Sequence, residues 1–272
     1  MAFDSTTGSR DGWEVREAGR EDAARTVLLL PGALCTAAFY DDVLADPRWP
    51  ESGVRLVAAT PPGFGGIPLP HDFDPSVEAY AQLAGAFAAD LGCDVLVGHS
   101  YFGNVAIEMA ASGAFAGRLV LLSPCFSTQD EEKDFRRLAR VSAVPVVGRI
   151  AWAAVRLTMS SSMKGRLPPE RHDELVAEMK RSSPAVFRPL LPRYFDHMDR
   201  YGSLVGPLCD AGVNAWVVRG DGDEVGLADV ERDALERCPT VALVTVPDAA
   251  HMVMTDQPAR VAELILEVAL RR

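Results

Sequence analysis

The sequence predicts an α/β fold: a doubly wound, mostly parallel sheet with one inserted helical cap. Three observations predict it. Short Val/Leu-rich runs with little polar alternation recur along the chain, as strands covered on both faces do. Longer helical patterns lie between them, the order expected of βαβ units. One stretch, from Phe126 to about Gly212, carries helical patterns and no convincing strand.

Trp13–Arg16 reads as an antiparallel edge strand, and the residues before it read as loose. The buried strand runs are Thr26–Leu30, Arg55–Ala59, Asp94–Val97, Leu119–Leu122, Ala215–Arg219 and Val241–Val246. Asp74 is placed to cap a helix with Pro75 at its first position. Val77, Tyr80, Ala84, Phe87 and Leu91 then share one face, and Gly92 ends it. A last helix starts near Pro258 and puts Val261, Leu264, Ile265 and Val268 on one stripe.

Within the insertion, helical patterns cover Asp130–Val144, Val146–Met159, Pro168–Arg181 and Ser183–Tyr201. Pro189 and Pro192 are expected to kink or split the last of these. Ser160–Gly165 reads as a mobile connection. The domain expectation is a core in two parts, 1–125 and 213–272, around a cap at 126–212.

Composition excludes several classes. The chain has 272 residues, 27 Lys+Arg against 38 Asp+Glu, and a net charge of −11. An acidic balance argues against a nucleic-acid partner, though a pocket can still be locally positive. At 48% hydrophobic residues the chain is too apolar for disorder. Cys35, Cys93, Cys125, Cys209 and Cys238 are odd in number and scattered, so neither a zinc site nor a disulfide framework is expected. A reduced, cytoplasmic setting fits them. Met1–Arg20 has no apolar core of a signal peptide. Val141–Met159 is the most apolar long window. It holds Arg149, Arg156, Pro145 and Gly148, so it reads as a buried or cap helix, and no membrane partner is expected.

The chemistry-bearing run is Val95 to Ala106. A buried strand enters Gly98-His99-Ser100 and passes directly into a helix. A serine at such a junction can be held in a strained turn with Oγ above the sheet edge, where a helix N-terminus favours negative charge. The bland reading is a helix-capping serine. In the pattern G-x-S-x-G the second glycine is here Phe102. A Phe at that place must point into free space or push a neighbour outward.

A serine needs a base, and the base an orienting acid. Of the five histidines, His71 lies in a polar loop, and His99 points away from its neighbour Ser100. His172 and His197 read as solvated helix surface. His251 follows a strand and a short turn and precedes the last helix, so it can reach over the sheet edge. The acid is expected after Ala215–Arg219, where Asp221, Asp223 and Glu224 compete within one glycine-bearing turn. The oxyanion donors would be the backbone amides of Ala33, after the strand ending at Leu30, and Tyr101.

Together these residues resemble the α/β-hydrolase superfamily. Gly98-His99-Ser100 resembles its nucleophile elbow. Pro31-Gly32-Ala33 is similar to its oxyanion loop, and Pro62-Gly63-Phe64-Gly65 to the turn after the next strand. Gly220-x-x-Asp223 resembles its acid turn, and Ala250-His251 its histidine loop. The resemblance implies a catalytic set of Ser100, Asp223 and His251, with Asp223 preferred over its neighbours, and no cofactor or metal. It implies a serine hydrolase acting on an ester, lactone or thioester of a small, largely apolar molecule. It also admits C–C hydrolysis, acyl transfer, lyase or cofactor-free peroxidase chemistry. A non-catalytic receptor for a small molecule is the rival of a different class. Leu34, Phe126, Trp152, Met163 and Met252 are candidates for the pocket lining, with Met159 beside them.

Overall fold

The protein is described by a computed structural model over residues 6–271. One sheet holds β1 (Thr6–Arg10), β2 (Trp13–Ala18), β3 (Arg25–Leu30), β4 (Val54–Thr60), β5 (Val95–His99), β6 (Arg118–Leu122), β7 (Ala215–Gly220) and β8 (Val241–Val246). Their order across the sheet is β1-β2-β4-β3-β5-β6-β7-β8. Pairing is parallel from β4 through β8, while β2 runs antiparallel to both β1 and β4.

The helices are α1 (Asp41–Leu44), α2 (Val77–Leu91), α3 (Tyr101–Ala111), α4 (Lys133–Ser142), α5 (Pro145–Ser162), α6 (His172–Arg181), α7 (Pro184–Tyr201), α8 (Val205–Asp210), α9 (Asp229–Glu236), α10 (Val253–Asp256) and α11 (Pro258–Leu270). Alternate strand residues serve two apolar layers. Leu28, Leu30 and Leu96 pack with α2 and α3 on one face. Val27, Leu29, Val95 and Val97 pack with α1, α10 and α11 on the other. This two-sided covering is why the strand runs lack polar alternation. Helices α4–α8 lie between β6 and β7, where the sequence places its insertion.

The structure corrects several expectations. Trp13–Ala18 is not the edge strand, because β1 pairs beyond it. The residues read as loose therefore include a strand; residues 1–5 lie outside the described part. Asp11 and Gly12, at φ 50° and 82°, form the hairpin turn, and Asp-Gly was its sequence signal. Helix α2 starts at Val77 with Ser76 as cap, its hydroxyl accepting from the Ala79 amide. Asp74 instead pairs with Arg193 of α7. Gly92 does end α2, at φ 62°.

Pro189 and Pro192 do not split α7, which runs unbroken. A proline removes one helix bond at its own nitrogen, and here packing against α4, α5 and α2 holds the helix together. Ser160–Ser162 finish α5 rather than forming a connection. Helix α8 has no counterpart among the sequence expectations.

Candidate active site

Ser100 sits between the end of β5 and the start of α3 at φ 49°, ψ −116°. That backbone state is costly for a residue with a side chain, and the surroundings enforce it. The Ser100 amide donates to the Leu122 carbonyl of β6, and the Gly103 amide donates to the Ser100 carbonyl. Gly98 is required by close approach, since a Cβ there would lie 2.3 Å from the Phe102 carbonyl oxygen. Phe102 neither points into free space nor pushes a neighbour away. It is fully buried in edge-to-face contact with Phe64 and Tyr80, at ring-centroid distances of 5.4 and 5.6 Å.

His251, in the turn between β8 and α10, reaches Ser100. Its Nε2 lies 3.1 Å from Ser100 Oγ, and its Nδ1 lies 3.0 Å from Asp223 Oδ1. An ionised Asp223 only accepts, so Nδ1 carries the proton and Nε2 is left to accept from the serine hydroxyl. Asp223 Oδ1 also accepts from the Val225 amide at 3.1 Å, and Arg219 lies 3.3 Å from Oδ2. Burial pushes the Asp223 carboxyl up, but the His251 hydrogen bond and the His251 and Arg219 charges together hold it below its usual range. For His251, burial pulls the imidazole down. The Asp223 hydrogen bond and charge, with Glu131 and Glu224, outweigh this and leave it above its usual value of 6.5.

The rival acids stand elsewhere. Asp221 is exposed, and Glu224 pairs with Arg166 at 2.9 Å. His99 is buried, and its Nε2 lies 3.0 Å from the His251 carbonyl, so its ring braces the His251 turn. Burial, with the neighbouring His251 charge, lowers His99 to about 3, so it is a neutral donor. A Cβ on Gly32 would lie 2.5 Å from the His99 ring, which ties the Pro31-Gly32 turn to the same packing.

The Ala33 and Tyr101 amides have no hydrogen-bond acceptor among the described residues. Both residues line a cavity of about 250 Å³ that also holds Ser100 and His251. Leu34, Trp152, Met159, Met163 and Met252 also line it. Phe126 does not. It is fully buried in the apolar layer beside α3, and its carbonyl accepts from the Leu204 amide.

Three features escaped the sequence reading. Glu131, which the sequence did not single out, is buried and lines the cavity. Tyr194 donates to its Oε2 at 3.0 Å and the Glu132 amide to its Oε1. Burial raises the Glu131 carboxyl. The Tyr101 hydroxyl is buried and has no partner among the described residues. His197 was read as helix surface but is fully buried, with Nδ1 3.0 Å from Glu78 of α2. His172 lies apart from the cavity, bonded to Asp173 and the Ser160 carbonyl.

Among the described residues, no group of three His, Cys, Asp or Glu is arranged to hold a metal, and no helix is long and apolar enough to cross a membrane.

The sequence profile of the Alpha/beta hydrolase family matches residues 27–264. No curated protein matches the chain. Among solved structures, a thermophilic esterase from Thermogutta terrifontis is similar at 20% identity and TM-score 0.72, covering 98% of this chain and 97% of that one. An N-acyl homoserine lactonase is similar at 17% identity and TM-score 0.70, over 96% and 94%. The thioesterase domain of the curacin biosynthetic pathway is similar at 17% identity and TM-score 0.67, over 98% and 100%. Likeness at such identities is a likeness of fold.

Proposed function

The chain belongs to the alpha/beta hydrolase family, and on that premise we propose that it is a serine hydrolase cleaving an ester, lactone or thioester of a small, largely apolar molecule. The observation that carries this reading is the relay from Asp223 Oδ1 through His251 to Ser100 Oγ, with links of 3.0 and 3.1 Å, at one wall of the apolar cavity.

In this mechanism Ser100 Oγ attacks the substrate carbonyl carbon while its proton passes to His251 Nε2. Asp223 keeps the Nδ1 proton in place and stabilises the imidazolium that forms. Negative charge grows on the carbonyl oxygen, where the Ala33 and Tyr101 amides and the N-terminus of α3 meet it. Each such donor contributes about 3–4 kcal/mol to the transition state. His251 then returns the proton to the departing alkoxide or thiolate. Water, activated by the same imidazole, releases the acyl group from Ser100.

Helices α4–α8 act as a cap in this reading. Helix α5 supplies Trp152, Val155 and Met159 to the cavity, and these set the shape of the acyl or alcohol site. A volume of about 250 Å³ is below the common range for drug-sized ligands, which is why the substrate is assigned as small. The reaction needs no cofactor or metal, and the partner is the small-molecule substrate.

The test is a panel of short- and medium-chain esters, lactones and thioesters, run beside Ser100→Ala. Turnover of at least one class that disappears in a folded Ser100→Ala protein supports the reading. Equal turnover by Ser100→Ala, or tight ligand binding with no turnover by either protein, defeats it.

A further inference from the structure

Helix α5 is apolar on two opposite faces. Gly148, Trp152 and Met159 point inward and are buried, with Trp152 and Met159 in the cavity wall. At 100° per residue, Val146, Ile150 and Leu157 fall on the opposite pole. They are 68%, 66% and 84% exposed. A cap helix facing only water would carry charged residues there. Exposed aliphatics aligned along a helix mark a surface that meets something apolar.

The charge around this stripe is segregated. Residues 135–169 contain seven of the 27 Lys+Arg and none of the 38 Asp+Glu, in a chain of net charge −11. Of these cations, Arg136, Arg140, Arg149, Arg156 and Lys164 have no ion pair among the described residues, whereas Arg16, Arg55, Arg171 and Arg181 elsewhere are paired. Arg149 and Arg156, seven residues apart, flank the aliphatic pole on one side.

We propose that the outer face of α5 is a docking surface for an anionic phospholipid bilayer. The aliphatic pole would enter the boundary between headgroups and acyl chains, while the flanking Arg149 keeps its guanidinium group at the phosphates; Arg156 donates to the Ser182 carbonyl at 3.3 Å and adds only its charge. A second copy of the chain fits the face worse, because a two-fold contact would bring the arginines beside the pole of one copy against those of the other. The face adheres without any span, so it revises only the expectation that the protein has no membrane partner. It does not depend on the catalytic assignment. If both hold, the helix that walls the cavity is also the helix that touches the lipid, and apolar substrates would arrive at the mouth from the interface.

The test is co-sedimentation of the full chain with vesicles of phosphatidylglycerol and phosphatidylcholine in a ratio of about one to three, and with phosphatidylcholine alone. The expected result is binding to the mixed vesicles that weakens with added salt and is much weaker on phosphatidylcholine. The double variant Ile150→Glu/Leu157→Glu should lose binding. Arg149→Glu should weaken it by about fivefold or more. These side chains lie outside the cavity wall, so melting temperature and turnover of a soluble ester should be unchanged. No binding of the wild type to mixed vesicles overturns the proposal. So does equal binding by the double variant, equal binding to phosphatidylcholine alone, or self-association through this face without vesicle binding.

Discussion

Replacing Asp223 by Asn keeps the shape of the acid and removes its charge. The wild-type carboxylate accepts hydrogen bonds from His251 Nδ1 at 3.0 Å and from the Val225 amide at 3.1 Å through the same oxygen, and its side chain is 1% exposed. An Asn can turn its amide nitrogen toward Nδ1. The imidazole is then driven to the tautomer that cannot accept from Ser100, and the imidazolium loses its counter-charge. The expected loss in kcat is about 10³- to 10⁴-fold, or roughly 4–5.5 kcal/mol. Stability should fall as well. Arg219, 12% exposed, has Asp223 as its ion-pair partner and keeps only the carbonyls of Pro124 and Val225. Leaving a mostly buried guanidinium short of its partner costs about 1–3 kcal/mol, a drop of several degrees in melting temperature. The assay is steady-state hydrolysis of the best ester from the panel, with melting followed on the same samples. Asp221→Asn and Glu224→Gln should stay within about tenfold of wild type, because neither touches the imidazole. The reasoning is refuted if folded Asp223→Asn keeps activity within tenfold of wild type, or if Asp221→Asn or Glu224→Gln loses more than Asp223→Asn does.

Catalysis requires His251 neutral at Nε2, and its pKa is raised, so kcat/KM should rise with pH through a midpoint above the ordinary 6.5. Glu131 is one of the groups raising it, so Glu131→Gln should move that midpoint to lower pH, as a pH–rate profile would read directly. Phe102→Ala should remove the edge-to-face contacts with Phe64 and Tyr80 and cost about 3–5 kcal/mol of stability, lowering the melting temperature by roughly 10 °C.

Much of the fold was legible because its signals are local. Strands β3 to β7 read as apolar runs, since both faces of each are covered, and β8 reads so too although, at the sheet edge, it is only half-buried. Gly92 stops α2 because the chain needs a left-handed residue there. Strand β1 was not legible by hydrophobicity. Thr6–Arg10 carries no large apolar side chain and is held by backbone pairing to β2, so only the Asp11-Gly12 turn announced it. The α2 cap is Ser76, directly before Val77, while Asp74 lies two residues upstream and pairs with Arg193, far away in sequence.

The same division runs through the candidate site. Ser100 and His251 stand out because a strand–turn–helix junction and a chain order are local facts. The choice of Asp223 among three acids rests, in the structure, on which carboxylate the Gly220 turn aims inward. Glu131 and His197 escape a local reading for one reason. The burial of each comes with a partner far away in sequence, Tyr194 for Glu131 and Glu78 for His197. Phe102 was the hardest to place, because its room is made by Phe64 and Tyr80, far from it in the chain.

The most direct measurement of the central claim is the site of covalent labelling by a fluorophosphonate, read by mass spectrometry of the intact and digested protein. A nucleophilic Ser100 activated by His251 predicts a single adduct on Ser100, absent in Ser100→Ala and formed far more slowly in His251→Ala. An unlabelled Ser100 in folded, wild-type protein, or labelling at the same rate without His251, would contradict it.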